Sequence, residues 1–346
     1  MIISSLNKIR IAFVALLVLL SVGFTGCKEN EVLEGNANNE TSMLPETSSN
    51  FTQNPMIDDS GFRVGQSVSD AYVDPSTVNK IPAEQIKAKG YEYDYDSLTY
   101  ELVWSDEFDY EGELDTSKWG YDLGQSGWGN NELEKYTKTN AVVGDGMLTI
   151  HLRKEEDGTV TSSRVATRQK GDWVYGKFEI CAKLPSGKGT WPAIWMLPTD
   201  YRYGSWPDSG EIDIMEHVGY HQDYVSSSVH TKSYNHKIGT QKTKEIKLEG
   251  ASEEFHVYCL EWLPDKIITY VDGNKLFEFV PTKYKTEPTK DEWPFDKRHH
   301  LLINLAWGGD WGGARGVDES ILPQEFQIEY VRVYQSPEIN AITGQK

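Results

Sequence analysis

The stretch "SWPDSGEIDIMEHVGY", residues 205–220, sets three carboxylates inside a strongly apolar β-type run. Glu211, Asp213 and Glu216 alternate with Ile212, Ile214 and Met215. Successive side chains on a strand point to opposite faces, so Glu211 and Asp213 share one face. A regular strand would next place Met215 there and turn Glu216 away. One extra residue in a β-bulge around Ile214–Met215 returns Glu216 to the face of the other two. The stretch therefore predicts a bulged strand with three carboxyls on one side.

At ~3.3 Å per paired residue, the Cα atoms of Glu211 and Glu216 stand ~13 Å apart. Leaning together, their carboxyls come within roughly 5–6 Å, near the ~5–5.5 Å of a retaining glycosidase. Three carboxyls this close cannot all ionise cheaply, so at least one keeps a proton near neutral pH. A charged nucleophile beside a protonated acid is the pair of roles that glycoside cleavage requires. The ordinary reading of E-x-D-x-x-E is an acidic strand face in solvent. Its Trp/Gly-rich neighbourhood argues against that here.

Working outward, "YELVWSDEF", "MLTIHL", "VYGKFEICAKL", "FHVYCLEWL", "IITYVDGNKLFEFV", "LLINLAW" and "FQIEYVRVY" are short β-type segments separated by Gly, Pro and Asp clusters. "YVDGNKLF" reads as a hairpin turning at Asp272-Gly273. Long helical periodicity is absent. The ~235 residues from Glu101 onward fit one all-β sandwich or barrel. Of the 11 tryptophans, many lie in glycine-rich stretches such as "GQSGWGNNE", "GTWPAIW" and "LAWGGDWGG". Any one of them could be a core residue. Clustered in turn-like contexts, they suit platforms for the flat apolar face of a β-linked sugar.

"GEIDIMEHVG" resembles the active-site signature of glycoside hydrolase family 16, in the branch of laminarinases and related β-glucanases. "LVWSDEFD", "GWGNNELEKYT", "YGKFEICAKLP", "GTWPAIWMLP", "NLAWGGDW" and "YVRVY" resemble its other segments in order, over roughly residues 101–335. The resemblance implies a β-jelly-roll sandwich binding a β-glucan polysaccharide in a concave face, with no cofactor required. It implies Glu211 as nucleophile, Glu216 as general acid/base and Asp213 as the partner that tunes them. Trp191, Trp195 and Trp206 match cleft aromatics and Asn130 a substrate-contacting loop. His230, in "SSSVHTKS", either lines the cleft or is an ordinary strand histidine. The family often carries a structural Ca²⁺, implied here near Glu107 and Gly146 and at the position before "YVRVY", which is Glu329. Sister specificities on the same fold include agar- and carrageenan-type galactanases, and a glycan-binding protein without catalysis is a further reading.

The N-terminus carries Lys8 and Arg10, then "IAFVALLVLL" and "SVGFTGC". A basic flank, an apolar run and small residues describe a secretory signal, too short for the ~20 residues of a membrane span. "FTGC" resembles the lipobox of bacterial lipoproteins, which implies cleavage at residue 26 and acylation of Cys27. The other reading is a plain secretory signal with an incidental cysteine. The layout expected is a signal over 1–26 and a lipidated tether and lead-in over 27–98. A catalytic domain over 99–336 and a tail over 337–346 follow. The chain is expected at the outer membrane, held by its lipid anchor, facing the cell surface as a monomer.

The formal charge of −19 excludes a taste for nucleic acid, because the protein's own field opposes polyanions. Cys181 and Cys259 are left as a pair or as two buried thiols, and no Cys/His spacing resembles a zinc site. His217 and His221 stand four apart, a metal spacing only on a helix, which Gly219 and the β context oppose. There is no G-x-S-x-G elbow, no phosphate-binding glycine loop and no C-x-x-C.

Overall fold

The computed structural model describes residues 91–125 and 128–345. The expected signal, Cys27 and the tether as far as residue 90 lie outside the described residues. Two sheets make up the domain. One has eight strands, running Lys242–Lys247, Tyr224–His230, Glu211–Glu216, Thr190–Pro198, His299–Trp307, Arg164–Ala166 and Gly120–Asp122, with Asp172–Trp173 beside the His299 end. The other has eleven, centred on His256–Trp262, Gly176–Lys183, Gln324–Gln335 and Met147–Lys154.

Alternation explains the packing. Ile194, Met196, Ile212, Val225, Val229, Leu301, Ile303 and Leu305 from the first sheet meet Phe178, Ile180, Leu148, Ile150, Leu260, Val331 and Val333 from the second in one continuous core. Each such side chain taken from water stabilises the sandwich by ~1.5–3 kcal/mol before chain entropy is counted. All nine residues of His299–Trp307 are buried, so the strand lies under protein on both faces. The all-β sandwich expected from the sequence is the fold found.

The hairpin at "YVDGNKLF" turns between Ile267–Val271 and Asn274–Phe279. Asp272 and Gly273 have φ of 51° and 76°, the double positive-φ turn whose twist suits paired strands. Cys181 and Cys259 are both buried free thiols. Burial pushes each up to about 12, so neither is a ready nucleophile.

Residues 337–346, expected as a tail, instead begin with a helix, Pro337–Thr343, that belongs to the domain. Ser336 caps it by accepting from Ile339 N at 3.3 Å. Ile339 is buried in the core cluster, and Glu338 accepts from Thr99 Oγ1 at 2.7 Å. A single buried isoleucine in seven residues has no periodic signal to announce it. The tyrosine-rich lead-in docks too: Tyr93 donates to the Asp265 carboxylate and Tyr95 to Glu261 at 2.5 Å.

Candidate active site

The register around Glu211–Glu216 shows the bulge directly. Against Thr190–Pro198, Ala193 pairs with Glu216, Ile194 with Met215 and Trp195 with Asp213, leaving Ile214 without a partner. Against Tyr224–His230, Glu211 pairs with His230, Asp213 with Ser228 and Glu216 with Ser226. Ile212, Ile214 and Met215 are all in the inner core. The three acids thereby share the sheet's outer face. Gly210 enters the strand at φ 89°, and a Cβ there would lie 2.7 Å from the Phe295 ring.

The bulge is pinned from below. Ser227 Oγ donates to Ile214 O at 2.6 Å and accepts from Thr269 Oγ1 of the opposite sheet at 2.9 Å. The carbonyl that the extra residue takes out of the ladder is thus satisfied by a side-chain relay across the core.

Two indoles hold the two glutamates. Trp206 Nε1 donates to Glu211 Oε2 at 2.9 Å, and Trp191 Nε1 donates to Glu216 Oε1 at 3.2 Å. His230 Nε2 lies 3.3 Å from Asp213 Oδ2 and 3.7 Å from Glu211 Oε1. Burial is the largest cause that brings Glu211, Asp213 and Glu216 up to about 8 each; for the two glutamates the charge of Asp213 is the second cause of that rise. The cluster therefore holds on to protons far above the ordinary carboxylate range, as three crowded acids should.

Beside the acids lies an ordered polar floor. Trp195 Nε1 donates to Asn304 Oδ1 at 2.8 Å, Asn304 Nδ2 to Tyr136 Oη at 3.1 Å, and Tyr136 Oη to Glu132 Oε2 at 3.1 Å. Arg164 sits with its guanidinium 4.6 Å from the Trp195 ring and 5.4 Å from that of Trp128, neutralised by Asp122 at 2.8 Å. Ala166, Leu197 and Leu302 form a small apolar cluster against Trp195 and Trp206. Rigid rings, fixed hydroxyls and a few charges on one sheet face suit a sugar polymer.

The glycosyl hydrolases family 16 profile matches residues 129–332. A β-glucanase of Rhodothermus marinus is 53% identical over 244 residues, spanning 68% of this chain and 85% of that protein. A glucan endo-1,3-β-glucosidase of Cryptopygus antarcticus is 36% identical over 256 residues, spanning 67% of this chain and 90% of that protein. Among solved structures, the laminarinase from Rhodothermus marinus superposes with a TM-score of 0.67 at 50% identity, covering 69% of this chain and all but 1% of that one. The chain belongs to glycoside hydrolase family 16. It is a glycoside hydrolase.

Within this family 16 domain the other expected site residues fall as follows. Asn130 has φ 51° in a turn, and its carbonyl accepts from Asp310 N at 2.6 Å. Its neighbour Asn131 donates to Asp310 Oδ1 at 2.8 Å, so the "GNNE" and "GGDW" loops are tied together. His217 and His221 are not a pair: His217 Nδ1 meets Tyr224 O at 2.8 Å, whereas His221 stacks on the Tyr224 ring. The strand register brings Glu107, Gly146 and Glu329 to one place, since Gln324–Gln335 pairs Val331 with Asp106 and Ile328 with Leu148. The two acid side chains there are already engaged. Arg332 clamps Glu107 at 2.7 Å, and Cys181 Sγ donates to Glu329 at 3.2 Å.

Sequence reasoning missed Ser227, Thr269, Asn304, Tyr136 and Arg164. Ser227 is one of three consecutive serines in a strand; alternation puts it on the inward face with Val225 and Val229, but its partner Thr269 on the other sheet has no local signal.

Proposed function

We propose that this glycoside hydrolase is a retaining endo-β-glucanase acting on chains that contain β-1,3-linked glucose, as laminarin or mixed-linkage β-1,3/1,4-glucan. The observation that carries the reading is the bulge: it puts Glu216 on the outer face with Glu211, and each glutamate meets its own indole N–H. Glu211 has the shorter of the two hydrogen bonds and His230 nearby, both of which favour its ionised form. The Asp213 charge raises both glutamates, so what separates Glu216 is its longer indole bond, which favours a retained proton.

The steps follow from those charges. Glu211 attacks the anomeric carbon as the glycosidic C–O bond breaks, and the Glu216 proton goes to the departing oxygen. Water then loses a proton to Glu216 and attacks the same carbon, breaking the ester to Glu211. Configuration is retained. Asp213, between them, tunes both. Trp191, Trp195 and Trp206 line the sugar path beside these acids, and the Asn130 loop borders it.

Proton NMR of the first product on laminarin and on mixed-linkage glucan tests this. The β-anomer should appear first, viscosity should drop before small sugars accumulate, and cellulose should stay intact. An α-anomer first would remove the double displacement. Activity confined to agarose or carrageenan would remove the glucan while sparing the chemistry. In Glu211→Ala, azide on an activated substrate should give an α-glycosyl azide; in Glu216→Ala it should give the β-azide.

Three finer features belong to the same reading. The lipobox-like "FTGC" supports a lipoprotein acylated at Cys27 in the outer membrane; Cys27→Ser should lose palmitate labelling. The convergence of Glu107, Gly146 and Glu329 supports a structural calcium resting on main-chain oxygens, since both carboxylates are engaged. Chelation should then lower the melting temperature without changing the anomer formed. The catalytic unit should sediment as a monomer.

A further inference from the structure

Three side chains of the catalytic face have a geometry that glycoside cleavage does not need. One donor atom from each of His230, Asp213 and Glu211 lies within 4.8 Å of the other two. His230 Nε2 is 3.3 Å from Asp213 Oδ2 and 3.7 Å from Glu211 Oε1. Two ligand atoms held ~2.0–2.1 Å from a tetrahedral centre are ~3.3–3.4 Å apart. The first pair matches that spacing, and the second is a few tenths of an ångström wide of it. One imidazole with two carboxylates is the borderline donor set of zinc-like ions, whereas calcium takes six to eight oxygens.

A second, independent observation points the same way. Asp213 is 3% exposed, and its Oδ2 accepts no hydrogen bond although it stands beside His230 Nε2. A buried carboxylate oxygen with no donor is costly unless something comes to meet it. The supporting contact is also present. Trp206 holds Oε2 of Glu211, which leaves Oε1 on the side of His230 Nε2.

We propose that Glu211, Asp213 and His230 form a transition-metal site of the zinc class, with its fourth position open, and that filling it reversibly shuts the hydrolase off. The cation takes the lone pair with which Glu211 would attack C1. It also displaces whatever protons the cluster holds, which leave to buffer. Glu216, held by Trp191, stays outside the ligand set. The inhibition rests on the glucanase reading; the site itself does not.

The test uses the full chain in chelator-free buffer with Zn²⁺ for calorimetry and Co²⁺ for absorption. One Zn²⁺ should bind per chain, and Co²⁺ should give the intense visible bands of a four-coordinate site. His230→Gln, Asp213→Asn and Glu211→Gln should each weaken binding by about 10-fold or more, whereas Glu216→Gln should leave it unchanged. Circular dichroism establishes that each variant is folded. Zn²⁺ should stop laminarin hydrolysis over the same concentrations, and EDTA should restore it. The pairs His151–Glu325, His221–Glu245 and His256–Asp272 offer two ligands each elsewhere. Wild-type affinity in folded His230→Gln would place the metal at one of those and overturn the proposal. Binding is read without glucan, so zinc uptake by a chain that hydrolyses no glucan would sink the substrate reading alone.

Discussion

Glu292 and Glu211 are both sheltered glutamates, supplied very differently with donors. The Glu292 carboxylate accepts from Thr289 N at 2.8 Å, Thr289 Oγ1 at 2.9 Å, Ser233 Oγ at 2.8 Å and Lys285 Nζ at 2.9 Å. Burial pushes Glu292 up, but these donors prevail and bring it down to about 2. Glu211 has the Trp206 indole, a histidine 3.7 Å off and two acids for neighbours. It goes up to about 8. Burial alone therefore does not set a carboxyl's state. The catalytic face is kept short of donors, which leaves protons and charge available for chemistry.

The comparison breaks most visibly in the rate. Glu211→Ala and Glu216→Ala should each lose about 10⁴-fold in kcat, on the scale of losing a nucleophile or a proton donor. Glu292→Gln should keep kcat within about 2-fold, since no step of the reaction touches it. A comparable loss in Glu292→Gln, measured on laminarin, would mean that the two regions are not separable.

Removing a single donor should cost less. Trp206→Phe keeps the ring's apolar face and deletes the N–H on Glu211. A hydrogen bond to a charged group is worth about 1.5–3 kcal/mol, so kcat should fall about 10–100-fold. Trp191→Phe should act instead on Glu216, moving the alkaline limb of the pH–rate profile upward because a donor to its ionised form is gone. Equal limbs in both variants would undo the assignment of one indole to each glutamate.

Stability should respond to pH with opposite signs. Glu292 is depressed when folded, so its contribution is present above the unfolded value near 4.3 and is lost as pH falls toward about 2. Glu292→Gln should therefore lose on the order of 2 kcal/mol at pH 7, a deficit that closes below pH 3. Asp213 is raised when folded to about 8, so its favourable share is present at low pH and is lost as pH rises from about 4 through 8. Asp213→Asn should raise the melting temperature at pH 8, with the gain shrinking toward pH 5. Thermal melts across pH 3–9 decide both.

The smallest effect on activity is expected at the pin beneath the bulge. Ser227→Ala leaves Ile214 O without its side-chain donor and should cost about 1–3 kcal/mol of stability. Activity per folded molecule should change little at moderate temperature. A large kcat loss with unchanged melting would show that the serine steers Glu216 rather than merely satisfying a carbonyl.

Much of this site was legible along the chain. The extra residue between Asp213 and Glu216 is a local count, and strand alternation turns that count into a bulge. Asp272-Gly273 carried its turn type in the same way. His230 was harder, because a strand histidine carries no mark of what lies across the ladder. Only the pairing of Glu211 with His230 gives it the acids as neighbours. The 337–343 helix escaped because its anchoring is one buried Ile339 and a cap, below any periodic signal.

Sequence by itself determined that the domain is all-β and that three carboxyls share one strand face, and its resemblance to family 16 implied the chemistry. The first two are properties of alternation and residue type, set within a few positions of each other. Tertiary structure alone decided which donor each acid meets, that Ser227 and Thr269 join two sheets beneath the bulge, and that Arg164 is sandwiched between Trp195 and Trp128. These contacts join segments tens of residues apart, and the charge states follow from burial and donor supply. Both are properties of the packed neighbourhood, which no local pattern encodes.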